Sequence, residues 1–143
     1  MIDYMEMKKI WFDSEMAQFA VECSSEVITA RVKIYATDAM IDDLINQIQQ
    51  FLEGKVEESF WANEEKGNNT LPCLLMRFFR KDNLGHIFIE IYMELDDGGD
   101  FNSHNCCFYL STEIGLLEEF CNQLPILQQK AVPVTITLNG TDT

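Results

Sequence analysis

Apolar and polar residues alternate with least interruption along Gly85-His86-Ile87-Phe88-Ile89-Glu90-Ile91-Tyr92-Met93-Glu94-Leu95. Successive side chains of an extended chain point to opposite sides. Ile87, Ile89, Ile91, Met93 and Leu95 therefore form one face, and His86, Phe88, Glu90, Tyr92 and Glu94 the other. The first face suits a core. The second mixes rings with carboxylates, which contact with water alone does not require. The pattern predicts a central strand of an antiparallel sheet whose open, acidic face meets a partner.

The same period recurs elsewhere. Ala17, Phe19, Val21 and Cys23 alternate with Met16, Gln18, Ala20 and Glu22. After the polar Ser24-Ser25-Glu26, Ile28, Ala30, Val32 and Ile34 alternate with Thr29, Arg31, Lys33 and Tyr35. Two such runs around a short polar turn predict a hairpin. Residues 9–12 read as a short strand. Residues 71–80 read as an interior strand, joined through the turn Lys81-Asp82-Asn83-Leu84-Gly85 to the strand above. A third strand of this meander covers 105–111, with Cys106, Phe108 and Leu110 facing alike. Residues 132–138 alternate again, and Pro133, which has no backbone donor, puts that strand at an edge. The tail 139–143 is expected to fray. Segment 54–70 has no clear period. Its Phe60 and Trp61 are expected to anchor on the core, because large rings seldom stay exposed.

Two stretches change to the helical period. Ile41, Leu44, Ile45, Ile48, Phe51 and Leu52 make a one-sided stripe, with Thr37 or Asp38 as cap and Gly54 as stop, predicting a helix over 38–53. Leu117, Phe120, Cys121, Leu124 and Leu127 predict a second over 113–128, which Pro125 kinks or ends near Leu124. At an offset of 76 residues, Asp42-Asp43-Leu44-Ile45-Asn46-Gln47-Ile48 lies over Glu118-Glu119-Phe120-Cys121-Asn122-Gln123-Leu124. Ala30, Val32 and Ile34 then lie over Cys106, Phe108 and Leu110. A repeat, or two amphipathic helices in like phase by chance, gives that match. The elements sum to one α+β domain over 1–143: an antiparallel sheet of five to seven strands with two helices packed on one face.

Charge narrows the functions open to such a domain. With 24 acids against 10 bases the formal net charge is -14. Direct binding to nucleic acid or to an anionic membrane is disfavoured, because phosphates repel such a surface. A basic protein partner is favoured instead, with electrostatic steering of association. The early acids and short apolar runs exclude a secretory signal or a membrane span, so a cytoplasmic location is expected. The five cysteines show no CxxC spacing and are read as reduced packing residues, with Cys106 and Cys107 on opposite faces of a strand.

Residues that carry chemistry are sparse. Two histidines stand far from any ligand set, and no GxSxG, P-loop, HExxH or GxGxxG occurs. Asp96, Asp97 and Asp100 lack the glycine placement and closing Glu of an EF-hand. Glu90 and Glu94 lie roughly 13 Å apart along a strand, too far for paired glycosidase carboxylates. No catalytic residue, metal ligand or cofactor is expected. The charge pattern says more: no Lys or Arg occurs between Asp82 and Gln129. Glu90, Tyr92, Glu94, Asp96, Asp97 and Asp100 are accordingly the candidate partner-binding residues, with Phe79, Phe88 and Tyr109 nearby. Arg31, Lys33 and Arg77 are the bases placed to pair with Glu90 and Glu94 across the open face.

The order of features also resembles a known family. An apolar helix runs from Asp42-Asp43-Leu44 to Phe51-Leu52, a Trp61 segment and residues 74–79 follow, and Gly85-His86-Ile87 opens the alternating strand. The sequence Glu113-Ile114-Gly115-Leu116-Leu117-Glu118-Glu119-Phe120 then begins the second helix. Over roughly residues 16–128 this is similar to the WapI-like immunity proteins of bacterial polymorphic-toxin systems. The resemblance implies a cytosolic protein that binds and neutralises a toxin domain, often a nuclease, without catalysis, and it transfers no site residues. The other readings are a non-toxin binding or regulatory module of the same fold, and an enzyme of unrecognised type. Oligomeric state is not legible.

Overall fold

The eight described strands divide between two four-stranded antiparallel sheets. The computed structural model describes residues 2–64, 72–96 and 103–142. In chain order the elements are β1 (Ile2–Phe12), β2 (Ala17–Ser24), β3 (Thr29–Ala36), α1 (Asp38–Leu52), β4 (Glu58–Ala62), β5 (Cys73–Arg80), β6 (His86–Asp96), β7 (Ser103–Glu113), α2 (Ile114–Gln123), a 3-10 helix (Leu124–Gln128) and β8 (Val134–Asp142). Sheet A has the order β3-β2-β1-β8 and sheet B the order β4-β5-β6-β7.

These two orders are the same order. Each half of the chain lays down three consecutive strands and a helix, then sends its next strand to the other half's sheet. Thus β4 pairs with β5, and β8 pairs with β1. The helices α1 and α2 lie against one another. Where they meet, the Cys121 Sγ donates to the Ile45 carbonyl at 3.8 Å, and these residues are 76 apart, the offset at which the sequence matches itself.

One hydrophobic cluster takes up the inner faces of both sheets and the stripes of both helices, including Phe19, Phe51, Trp61, Phe78 and Phe120. The inner face of β6, Ile87, Ile89, Ile91 and Met93, is buried as its alternation predicts. Thr37 caps α1 by accepting the Met40 N–H, and Gly54, at φ 75°, follows its end. Pro125 lacks the N–H that another α-helical turn needs, so α2 stops at Gln123 and the chain continues as the 3-10 helix.

Two seams join the sheets. At one, the buried Asp3 Oδ2 accepts the Ser111 N–H at 2.8 Å, and Thr112 Oγ1 donates to the Asn139 carbonyl at 2.9 Å. Gly140 makes this approach possible: a Cβ there would sit 2.4 Å from the Asp3 carbonyl oxygen and 2.5 Å from that of Ser111. At the other, Asn63 donates to the Tyr35 carbonyl at 3.4 Å and accepts the Leu74 N–H at 2.7 Å.

The expectation of a single sheet of five to seven strands is therefore corrected. Alternation identifies strands but not their partners, and two of the strands have weak alternation. The inner face of β1 contains Asp3 and Lys9, which break its apolar pattern over residues 2–12. The short β4 lies in the segment without a period. Residues 139–142 do not fray but belong to β8, where Asn139 and Asp142 pair with Tyr4 and Ile2. Phe60 is not on the core: it is 56% exposed, whereas Trp61 is 2% exposed and donates to the Met40 carbonyl at 2.9 Å. Neighbouring strand residues point to opposite faces, so only one of the two rings can enter the core.

Candidate protein interface

The helices cover the inner faces and leave the outer face of sheet B open. Its side chains stand in rows across the strands, set by register. One row runs Phe60, Arg77, Glu90, Tyr109; the next runs Glu58, Phe79, Phe88, Ser111. Phe79, Phe88 and Tyr109 pack into a triangle, with ring centroids 5.8, 6.2 and 6.3 Å apart. The two Tyr109 contacts are edge-on, the geometry in which the positive rim of one ring meets the negative face of another. Cations of the same chain lie on two of these rings: Arg77 is 4.7 Å from the Phe79 centroid and the Lys81 Nζ is 5.1 Å from that of Phe88.

The charges in the rows are joined to one another. Arg77 donates to Glu90 at 2.8 Å and to Glu58 at 3.1 Å. Tyr109 also donates to Glu90, at 3.0 Å, and this bond with the carboxylate charge holds the phenol above its ordinary pKa. Tyr92 donates to Glu94 farther along β6. That hydrogen bond, burial and the carboxylate charge push the Tyr92 phenol up to about 12. His86, at the start of β6, faces Asp82 at 2.7 Å, and this contact lowers the Asp82 pKa.

The sequence-predicted residues do not all behave as open carboxylates. Glu90 and Tyr92 are on the expected face and half-buried. Glu94 shares that face but is 5% exposed. Asp96 is the last residue of β6, opposite Ser103 in register. Asp97 and Asp100 lie outside the described residues. Of the bases expected to neutralise the strand, only Arg77 belongs to this sheet. Arg31 and Lys33 are on β3 of sheet A, and Arg31 pairs there with Glu22. Hydrogen bonds from Tyr4 and Arg31 keep the Glu22 carboxyl below its ordinary pKa.

Phe60 and Glu58 were missed as members of this surface. The usable signal was the adjacency of Phe60 and Trp61, which in any strand forces one ring outward. Acidity is also concentrated on the helices, where Asp38, Asp42, Asp43, Glu118 and Glu119 are exposed and neither helix carries a base. A cavity of about 630 Å³ lies where the β1–β2 turn meets the start of α1, with Lys9, Lys130, Asp13 and Asp38 in its lining. There the Lys9 Nζ already donates to the Gln129 carbonyl at 2.6 Å and rests on the Phe12 ring. Among the described residues no group of three or more His, Cys, Asp or Glu side chains is placed to hold a metal ion. No helix among them is long and apolar enough to cross a membrane. No family model matches the chain, nor does any curated protein or solved structure.

Proposed function

We propose that this chain is an immunity protein that binds a basic toxin domain, of nuclease type, in the cytoplasm and blocks its active cleft without chemistry of its own. The observation that carries the reading is the outer face of sheet B, where rings and carboxylates share one rigid surface. Interfaces favour aromatic anchors beside charges complementary to the partner. The exposed acids of α1 and α2 add to the negative charge of the chain as a whole. A cleft built to hold a polyanion is basic, and an acidic inhibitor excludes its substrate by occupying it. The resemblance to WapI-like immunity proteins supports the same reading.

The test is co-purification with the product of the adjacent reading frame, followed by association kinetics at low and high salt. A basic partner whose association slows by about ten-fold or more as salt rises is expected, because steering is screened beyond roughly 10 Å. An association rate indifferent to salt would refute the electrostatic part of the reading. Failure of any neighbouring product to bind would refute the immunity assignment.

A further inference from the structure

Resting on the reading of sheet B as the docking face, we infer that its energetic centre is two rings, Phe60 and Tyr109, and that they take arginine or lysine side chains of a basic protein segment. The carboxylates of β6 are poor anchors by themselves. Glu90 is already held by Arg77 and Tyr109, and Glu94 is buried against Tyr92. A partner would have to displace those bonds to gain new ones.

The rings remain. Phe60 and Tyr109 are 56% and 46% exposed and end the row Phe60–Arg77–Glu90–Tyr109, roughly 14 Å apart at the usual strand spacing. On this same face the protein already places a guanidinium over Phe79 and an ammonium near the Phe88 face. A cation over a ring face is attracted by the ring quadrupole, more strongly once water is excluded. Two carboxylates share the Arg77 guanidinium: Glu58, two residues from Phe60 on β4, and Glu90, directly opposite Tyr109. A cation seated on either end ring therefore has a carboxylate close by, Glu58 near Phe60 and Glu90 beside Tyr109. With a chain of net charge -14, charge complementarity selects a basic segment over an acidic or neutral one.

The probe is a short peptide of alternating arginine and serine, compared with the same peptide carrying neutral citrulline for arginine. Titration by calorimetry is expected to show binding of the first and not the second. The double variant Phe60→Ser with Tyr109→Ser should weaken binding about ten-fold. Tyr109→Phe, which keeps the ring and loses the hydroxyl, should retain it. Tyr35→Ser, which removes an exposed ring from sheet A, should change nothing. Unchanged near-ultraviolet dichroism from the buried Trp61 would show that the double variant is folded. Full affinity in the folded double variant, or equal loss in Tyr35→Ser, overturns the inference even if a neighbouring gene product binds the wild type. Conversely, ring-dependent peptide binding without any such product leaves this inference standing and removes the immunity assignment.

Discussion

Sheets A and B share one strand order but not one outer face. Sheet A presents Tyr4, Glu6, Lys8, Trp11, Gln18, Glu22, Arg31, Lys33 and Tyr35, rings spread among side chains of both charges. Sheet B presents Phe60, Arg77, Phe79, Phe88, Glu90, Tyr92 and Tyr109, five rings with a guanidinium shared between carboxylates. Their inner faces are alike in kind, since Met5, Met7, Phe19 and Val21 serve the core as Leu74, Met76, Ile89 and Ile91 do. The fold thus asks the same thing of both inner faces and nothing so specific of the outer ones. The faces differ in how their rings are set: on sheet B Phe79, Phe88 and Tyr109 pack on one another, whereas on sheet A Tyr4, Trp11 and Tyr35 are spread among charged and polar side chains.

The strongest way to break this comparison is at the seam. Gly140→Ala would drive a methyl group into two backbone carbonyls that cannot rotate away. A loss of about 4 kcal/mol or more is expected, as a lower urea midpoint with a single transition. Two separated transitions would mean that the sheets are independent units, and the comparison of two faces of one body would fail.

A second test sharpens the account of sheet B. The bond from Tyr92 to Glu94 raises the phenol's folded pKa, so its contribution to stability is complete below the unfolded value of roughly 10. It is lost as pH rises through about 12. Tyr92→Phe should therefore be less stable than wild type below that window, and the difference should vanish across it. Parallel alkaline unfolding profiles for the two proteins would show that Tyr92 and Glu94 do not interact as described.

The smallest effects are expected from the surface ion pairs. Arg31→Gln on sheet A and Arg77→Gln on sheet B should each cost less than about 1 kcal/mol of stability, because exposed pairs contribute little. Only Arg77→Gln should alter peptide binding. Equal effects of both on binding would erase the distinction between the faces.

Much of the fold was legible in the sequence, because local period reports local structure. The alternation of β6, the hairpin of β2 and β3, the Thr37 cap and the break at Pro125 each depend on a few neighbouring residues. Division into two sheets depends on contacts between residues as distant as Asp3 and Ser111, and no local period records them. The candidate surface was legible to the same degree. Glu90 and Tyr92 were placed on the right face, and Phe79, Phe88 and Tyr109 beside them. Arg31 and Lys33 were assigned to that face only because a single sheet was assumed. The depth of Glu94 also escaped, because alternation reports which face a side chain takes and not how far it is exposed.

The exchange of β4 and β8 sets a schedule for synthesis. As the chain leaves the ribosome, β1, β2 and β3 emerge first, yet β1 keeps an unpaired edge until residues 134–142 arrive. Sheet B is finished earlier, since β4 precedes β5, β6 and β7. Of the two sheets, the one whose strands are made earlier is thus completed later, and until β8 is released the nascent chain carries an open template for pairing with other strands.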